Sequence, residues 1–157
     1  MRAIYWVMPG LLAGRPGPGE VPWNLEELWA VGLRAILSLS AEVDEEAIGT
    51  AGFYHGRFYF PPILVPIRPL MGGFLSLMEG ATGFIQAQLA AGRPTLVHCH
   101  AGKDRTGAVL AGYLVRYRGF SADEAVRLVR QANPRAMTAP GFERLPGLFM
   151  DSVRLRR

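Results

Sequence analysis

The chain's only cysteine and only lysine lie in one short stretch, His98-Cys99-His100-Ala101-Gly102-Lys103-Asp104-Arg105-Thr106-Gly107, together with two of its three histidines. A nucleophile, cations and glycines between an apolar run and a helix-forming run read as an anion-binding loop that does covalent chemistry. Five residues separate Cys99 from Arg105. That is enough chain to curl into a cradle whose backbone N–H groups point at one anion. Gly102 permits the positive φ such a curl needs, and Gly107 permits close packing behind it. A guanidinium at Arg105 can take two phosphate oxygens in a fork, which an ammonium cannot. A thiol that faces cations and a helix N-terminus is of the reactive kind, because the thiolate is stabilised there. The Thr106 hydroxyl is expected to donate to the sulfur, and His98 to orient the loop rather than act as a base. The phosphate-binding set is therefore His100, Ala101, Gly102, Lys103, Asp104 and Arg105.

The elements that must hold this loop follow from pattern. Thr95 to His98 is apolar and strand-like, and Thr106 to Tyr117 is apolar nearly all round, which predicts a helix inside the domain. Ala3 to Val7 reads as a first strand with Leu11 to Ala13 as its return, and Gly14 to Pro22 as a Gly/Pro-rich loop. Asn24 caps a short helix, Leu25 to Val31, ended by Gly32. Leu33 to Leu39 is a buried parallel strand, and Asp44 opens a short acidic helix that stops near Gly52. Arg57 to Phe60 and Ile63 to Val65 read as strand or extended loop. A helical stripe over Gly73 to Ala91 puts Phe74, Met78, Ala81, Ile85 and Leu89 on one face. Ser121 and Glu124 form a capping box for a helix to Ala132, and Gly141 to Val153 gives a last helix interrupted near Pro146. This alternation predicts an α/β domain with a mostly parallel central sheet flanked by helices, one domain over residues 1–157.

Composition narrows the setting. Half of the 157 residues are hydrophobic and 19% are charged, which suits a folded domain with a real core. No apolar run reaches the length of a membrane span, and no signal-peptide core or cleavage site follows Met1-Arg2. A single cysteine excludes an internal disulfide and suits a reducing, cytoplasmic setting. The net charge of +4 favours anionic partners. The only dense basic run, Arg154 to Arg157, reads as a solvated tail, so nucleic acid is not an expected partner.

The loop resembles the signature of the protein tyrosine phosphatase superfamily, HCxxGxxR[ST], with His98, Cys99, Gly102, Arg105 and Thr106 in the defining positions. Tyr5 to Gly14 and Gly32 to Leu39 resemble the opening strands of small atypical dual-specificity phosphatases. The resemblance implies a phosphatase domain and a two-step reaction without metal or cofactor. Cys99 attacks phosphorus to give a phosphocysteine, which water hydrolyses, while Arg105 and the loop amides stabilise the equatorial oxygens. It implies phosphorylated proteins or small phosphomonoesters as substrates, phosphotyrosine first and phosphoserine or phosphothreonine with it, for a monomeric enzyme.

Two positions depart from the family pattern. Val65-Pro66-Ile67-Arg68-Pro69 stands where the family carries a mobile general acid, so Ile67 replaces an aspartate. Asp104 is the substitute. The text Ala101 to Gly107 resembles bacterial phosphatases of broad specificity, some active on phosphoinositides, in which an aspartate here is proposed as the acid. The flanking cations favour its ionised form, the opposite of what an acid needs, so a loop-shaping role stands equally beside the acid role. Glu42, Asp44, Glu45 and Glu46 are weaker acidic candidates on a solvated face. Phe142 aligns where relatives carry a glutamine that positions water.

His100 and Lys103 at the rim could hold a second phosphate or an inositol headgroup, against readings as a solvent-facing and a loop-stabilising residue. His55 reads as a surface or satisfied histidine. Two other functions compete with the phosphatase. One is a non-catalytic phosphate-binding module, for which retention of both Cys99 and Arg105 is unnecessary. The other is a sulfurtransferase, against which His98 and Arg105-Thr106 argue.

Overall fold

The computed structural model describes residues 3–61 and 68–155. Ile63 to Val65, Pro66 and Ile67 lie outside the described residues, as do Arg156 and Arg157. Among the described residues five strands form one sheet: β1 (Tyr5–Met8), β2 (Leu12–Pro16), β3 (Ala35–Ser38), β4 (Tyr54–Arg57) and β5 (Thr95–Cys99). Their spatial order is β1-β2-β5-β3-β4. Only the β1–β2 hairpin is antiparallel; β2–β5, β5–β3 and β3–β4 run parallel. The α/β architecture with a mostly parallel sheet is therefore as the alternation predicts.

The strands alternate between two apolar layers, as a period of two requires. Ala13, Ile36 and Leu96 join Leu28, Leu33, Ile48 and Phe53 beneath the short helices α1 (Leu25–Ala30) and α2 (Glu45–Thr50). Leu12, Leu37 and Val97 join the larger layer under α3 (Arg68–Ala90), α4 (Arg105–Tyr117), α5 (Ala122–Ala132) and α6 (Leu145–Leu155). Every residue of α4 from Thr106 to Val115 is buried, which explains its nearly uniform apolarity. Asn24 and Asp44 cap α1 and α2 through side-chain oxygens, and both halves of the Ser121–Glu124 capping box are present on α5.

Four boundaries differ from the sequence reading, the first being that of α3, which begins at Arg68 rather than Gly73. The second strand continues through Gly14, Arg15 and Pro16, which the Gly/Pro content suggests is loop. Pairing with Val97 to Cys99 of the central strand overrides that local signal. Strand β4 is Tyr54–Arg57 rather than Arg57 to Phe60. The break before the last helix falls at Gly141, which has φ 88°, and a short 3₁₀ turn over Phe142–Arg144; Pro146 lies inside the first turn of α6, where its missing N–H costs nothing.

Candidate active site

Strand β5 ends at Cys99 in the middle of the sheet, and the buried helix α4 begins at Arg105, so the loop between them sits where parallel strands point their C-terminal ends. Its carbonyl groups are tied outward. The Gly17 N–H donates to the carbonyl of His100 at 2.9 Å, the Tyr5 hydroxyl to that of Gly102, and the Met137 N–H to that of Lys103 at 3.0 Å. The Gly102 N–H points inward and donates to Cys99 Sγ at 3.3 Å. Among the described residues no protein acceptor takes the N–H groups of Ala101, Lys103, Asp104 or Arg105. The Arg105 guanidinium likewise makes no hydrogen bond or ion pair there. A loop with bound carbonyls and open amides, at a helix N-terminus and beside a guanidinium, is a cradle for a tetrahedral anion.

Gly102 has φ +72°, and a methyl group there would overlap the backbone of Arg15 and Pro16. Glycine thus meets both a conformational and a steric demand at this one position. Gly107 is nearly as crowded: a methyl group would lie 3.0 Å from Met137 Cγ. The Tyr5 hydroxyl is held in its protonated form because burial raises its pKa, so it remains a donor to the loop.

His98 is fully buried on the same face as Ser38. Its Nδ1 lies 3.3 Å from the carbonyl oxygen of Cys99, its Nε2 2.6 Å from Ser38 Oγ, and its ring meets Trp23 edge-on at 5.0 Å. Burial pushes its pKa down to about 4, against the hydrogen bond to Cys99 and with help from His55, Arg15 and Arg105. That shift favours the neutral ring, whose two nitrogens are both within hydrogen-bond reach of a partner. Arg15, paired in register with His98, is 3% exposed and donates from Nη1 to the Pro16 carbonyl at 2.9 Å.

The remaining loop residues fall into two clusters. Asp104 Oδ2 pairs with Lys103 Nζ at 2.6 Å, and Asp104 Oδ1 accepts from the Ala139 N–H at 3.1 Å. Lys103 also reaches Thr138 Oγ1 at 3.4 Å. These contacts clip the loop to the segment after α5, whose other side Arg130 holds through the carbonyls of Ala136 and Met137. On the opposite rim His100, half exposed, lies between Glu42 at 2.8 Å and Glu20 at 2.9 Å. Those carboxylates raise its pKa, Glu42 more than Glu20. A groove of about 460 Å³ opens beside the loop, with Tyr5, Glu20, Lys103, Asn133 and Arg135 in its walls.

Thr106 Oγ1 is buried and, among the described residues, makes no hydrogen bond to the sulfur or to any other group; Gly102 supplies the donor to Cys99 Sγ instead. Phe142 is core, packed edge-on to Phe74 at 6.3 Å, and presents nothing polar to a water. Sequence reasoning misses Tyr5, Arg15 and Ser38 because each is brought to the loop by a strand remote in sequence. Among the described residues no group of three or more His, Cys, Asp or Glu side chains converges as a metal site. No helix there is long and apolar enough to cross a membrane.

Residues 70–145 match the family model for the dual specificity phosphatase catalytic domain. The chain belongs to the dual-specificity phosphatase family. It is 33% identical to mouse dual specificity protein phosphatase 12 over 138 residues, which is 87% of this chain but 38% of that relative's length. The crystal structure of human DUSP28 superposes with a TM-score of 0.76 at 23% identity, over 98% of this chain and 97% of that one. PTPMT1 in complex with PI(5)P superposes with a TM-score of 0.80 at 16% identity, over 98% of both chains. At these identities the two structures show the shared fold, and the dual-specificity family is consistent with the cysteine and arginine at the two ends of the loop.

Proposed function

We propose that this domain is a phosphatase that hydrolyses phosphomonoesters through a phosphocysteine on Cys99. The observation that carries the reading is the loop itself: its carbonyls are held outward, the Gly102 N–H donates to the sulfur, and the neighbouring amides and the Arg105 guanidinium are left without a protein acceptor among the described residues. Cys99 sulfur attacks phosphorus, the P–O bond to the leaving group breaks, and that oxygen takes up a proton. Water then attacks the phosphocysteine, releasing phosphate and restoring the sulfur. Arg105 and the amides bind the equatorial oxygens in both steps, where negative charge shifts most. Of the two roles open to Asp104, anchoring the loop fits the geometry, since both its oxygens already accept charged or amide hydrogens. Thr106 contributes as the buried first turn of α4 and can reach the sulfur only by turning its hydroxyl toward it.

The substrate class follows from the rim. Groove walls of mixed sign, Lys103 and Arg135 against Glu20, suit a phosphorylated side chain on a protein, phosphotyrosine foremost, better than a headgroup with several phosphates. With His100 held by two carboxylates and Lys103 by Asp104, Arg135 is, among the described residues of the rim, the cation left for any second phosphate. PTPMT1, a relative in fold, was solved with a phosphoinositide, which keeps that lipid class as the alternative substrate. A monomer acting in the cytoplasm completes the proposal. The test is phosphate release from an aryl phosphate by the wild type and by Cys99→Ser. The wild type should turn over and the variant should fall to background. Activity that survives in Cys99→Ser removes the covalent mechanism, and a wild type that binds phosphate without turnover makes the domain a binding module.

A further inference from the structure

We propose that His55 is a positioning residue for the Cys99 nucleophile, acting through a hydrogen-bond chain that runs from β4 through Ser38 and His98. The inference rests on the reading of Cys99 as nucleophile. Three strands contribute to the chain: His55 on β4, Ser38 at the end of β3 and His98 on β5. Parallel register pairs Ile36 with both His55 and Leu96, and Ser38 with His98, so these side chains share the face under α1 and α2. Ser38 Oγ is 2.6 Å from His98 Nε2 and 2.8 Å from His55 Nε2.

The direction of every hydrogen in this chain is fixed by elimination. The Cys99 carbonyl only accepts, so His98 Nδ1 carries a hydrogen. His98 is neutral near neutral pH, with a pKa of about 4, so its Nε2 is bare and accepts from Ser38. The Ser38 hydroxyl has one hydrogen, now used, so it must accept from His55. His55 therefore carries its hydrogen on Nε2 whichever charge state it adopts. Burial and Arg57 favour its neutral form, against Glu45.

All three donors thus aim toward one acceptor, the carbonyl at which the nucleophile's own peptide begins the loop. Aligned donors polarise one another and stiffen the arrangement. Fixing the Cys99 peptide plane fixes the aim of Sγ toward the Gly102 N–H and the mouth of the cradle. Without His55, Ser38 keeps its bond to His98 but loses the donor that holds its hydroxyl in place, and the aim loosens. A half-buried histidine with this role gives no sequence signal, since its partner Ser38 lies in a different strand.

The variants are His55→Leu, which removes the donor, and His55→Gln, whose side-chain amide can still donate to Ser38. Two readings are taken on each folded protein: the rate of Cys99 alkylation by iodoacetamide at neutral pH, and kcat and KM on an aryl phosphate. Loss of one neutral hydrogen bond's worth of positioning should slow alkylation and kcat by about two- to tenfold in His55→Leu. KM should stay unchanged, and His55→Gln should recover most of both rates. Wild-type rates in His55→Leu overturn the inference. Equal losses in both variants also overturn it, since they would make His55 a packing residue. A wild-type thiol that resists alkylation removes the nucleophile reading itself, and the inference with it. Because alkylation needs no phosphatase turnover, the two failures are told apart.

Discussion

Replacing Asp104 with asparagine separates the two roles open to that residue. In the structure the carboxylate spends one oxygen on the Lys103 ammonium at 2.6 Å and the other on the Ala139 N–H at 3.1 Å. An asparagine can keep the amide contact, but it must then turn its own NH₂ toward the ammonium, donor against donor. The pair is mostly buried, 25% and 18% exposed, so its loss is greater than that of a surface pair, about 1 to 2 kcal/mol. If the whole of that loss falls on the loop's ability to hold the transition state, turnover drops by about five- to thirtyfold. The reasoning makes this loss the same for every leaving group, because loop geometry acts on the transferred phosphoryl and not on the departing oxygen. Aryl phosphates with graded leaving groups provide the assay: log kcat plotted against leaving-group pKa should shift down with unchanged slope. Lys103→Met should mimic the effect, and the double variant should lose little more than either single one, since both remove the same clip. A slope that steepens in Asp104→Asn, with poor leaving groups losing at least about tenfold more than good ones, would show proton donation and refute the anchoring role.

Two further perturbations test the frame around the loop. Gly102→Ala places a methyl group into the backbone of Arg15 and Pro16 at φ +72°, so the left-handed penalty of about 1–2 kcal/mol is a lower bound on its cost; the melting temperature should fall and inorganic phosphate should no longer protect the protein, and a variant that melts and binds as the wild type does would show that the loop tolerates another path. His98 has its pKa depressed from 6.5 to about 4, so the unfolded chain takes up a proton first as pH falls: the stabilising preference for the neutral ring is complete above 6.5 and lost progressively toward 4, about 3 kcal/mol in all. Urea unfolding of the wild type and of His98→Asn across that window should show the excess loss only in the wild type, and parallel curves would refute it; His100, with its pKa raised, acts with the opposite sign and is exposed enough to add little.

How much of this was legible in the sequence depended on how far each signal reaches along the chain. The loop was legible because its chemistry is local: five residues between Cys99 and Arg105 carry the cradle, the glycine and the helix start together. Caps are local too, and Asn24, Asp44 and Ser121 each mark a helix that the structure contains. Boundaries failed where a remote partner overrides local preference. Gly14, Arg15 and Pro16 are poor strand residues in isolation, yet they extend β2 because β5 offers them a complete ladder. Gly14 is also where the Tyr5 ring crosses, so its lack of a side chain serves packing rather than a turn.

The same distinction explains why the loop's supports were missed although the loop was found. A nucleophile's type can be read from one residue, but its aim is set by what grips the backbone on either side. Here those grips come from positions 97, 83 and 60 residues away: Tyr5 on the Gly102 carbonyl, Gly17 on that of His100, and Ser38 on His98. Ser38 ends β3 and Gly17 follows β2, strands that become neighbours of β5 only through parallel crossovers, while Tyr5 comes from β1, one strand further out and antiparallel to β2. No spacing rule in the sequence expresses that adjacency. Topology creates it, and once β5 lies between β2 and β3, the residues at the C-terminal ends of those strands have no choice but to face the loop. Their side chains are therefore where variation should alter reactivity without touching the signature. Arg15, Ser38 and His55 carry no chemistry of their own at the phosphorus, yet each acts on the orientation or charge of His98, and His98 acts on Cys99.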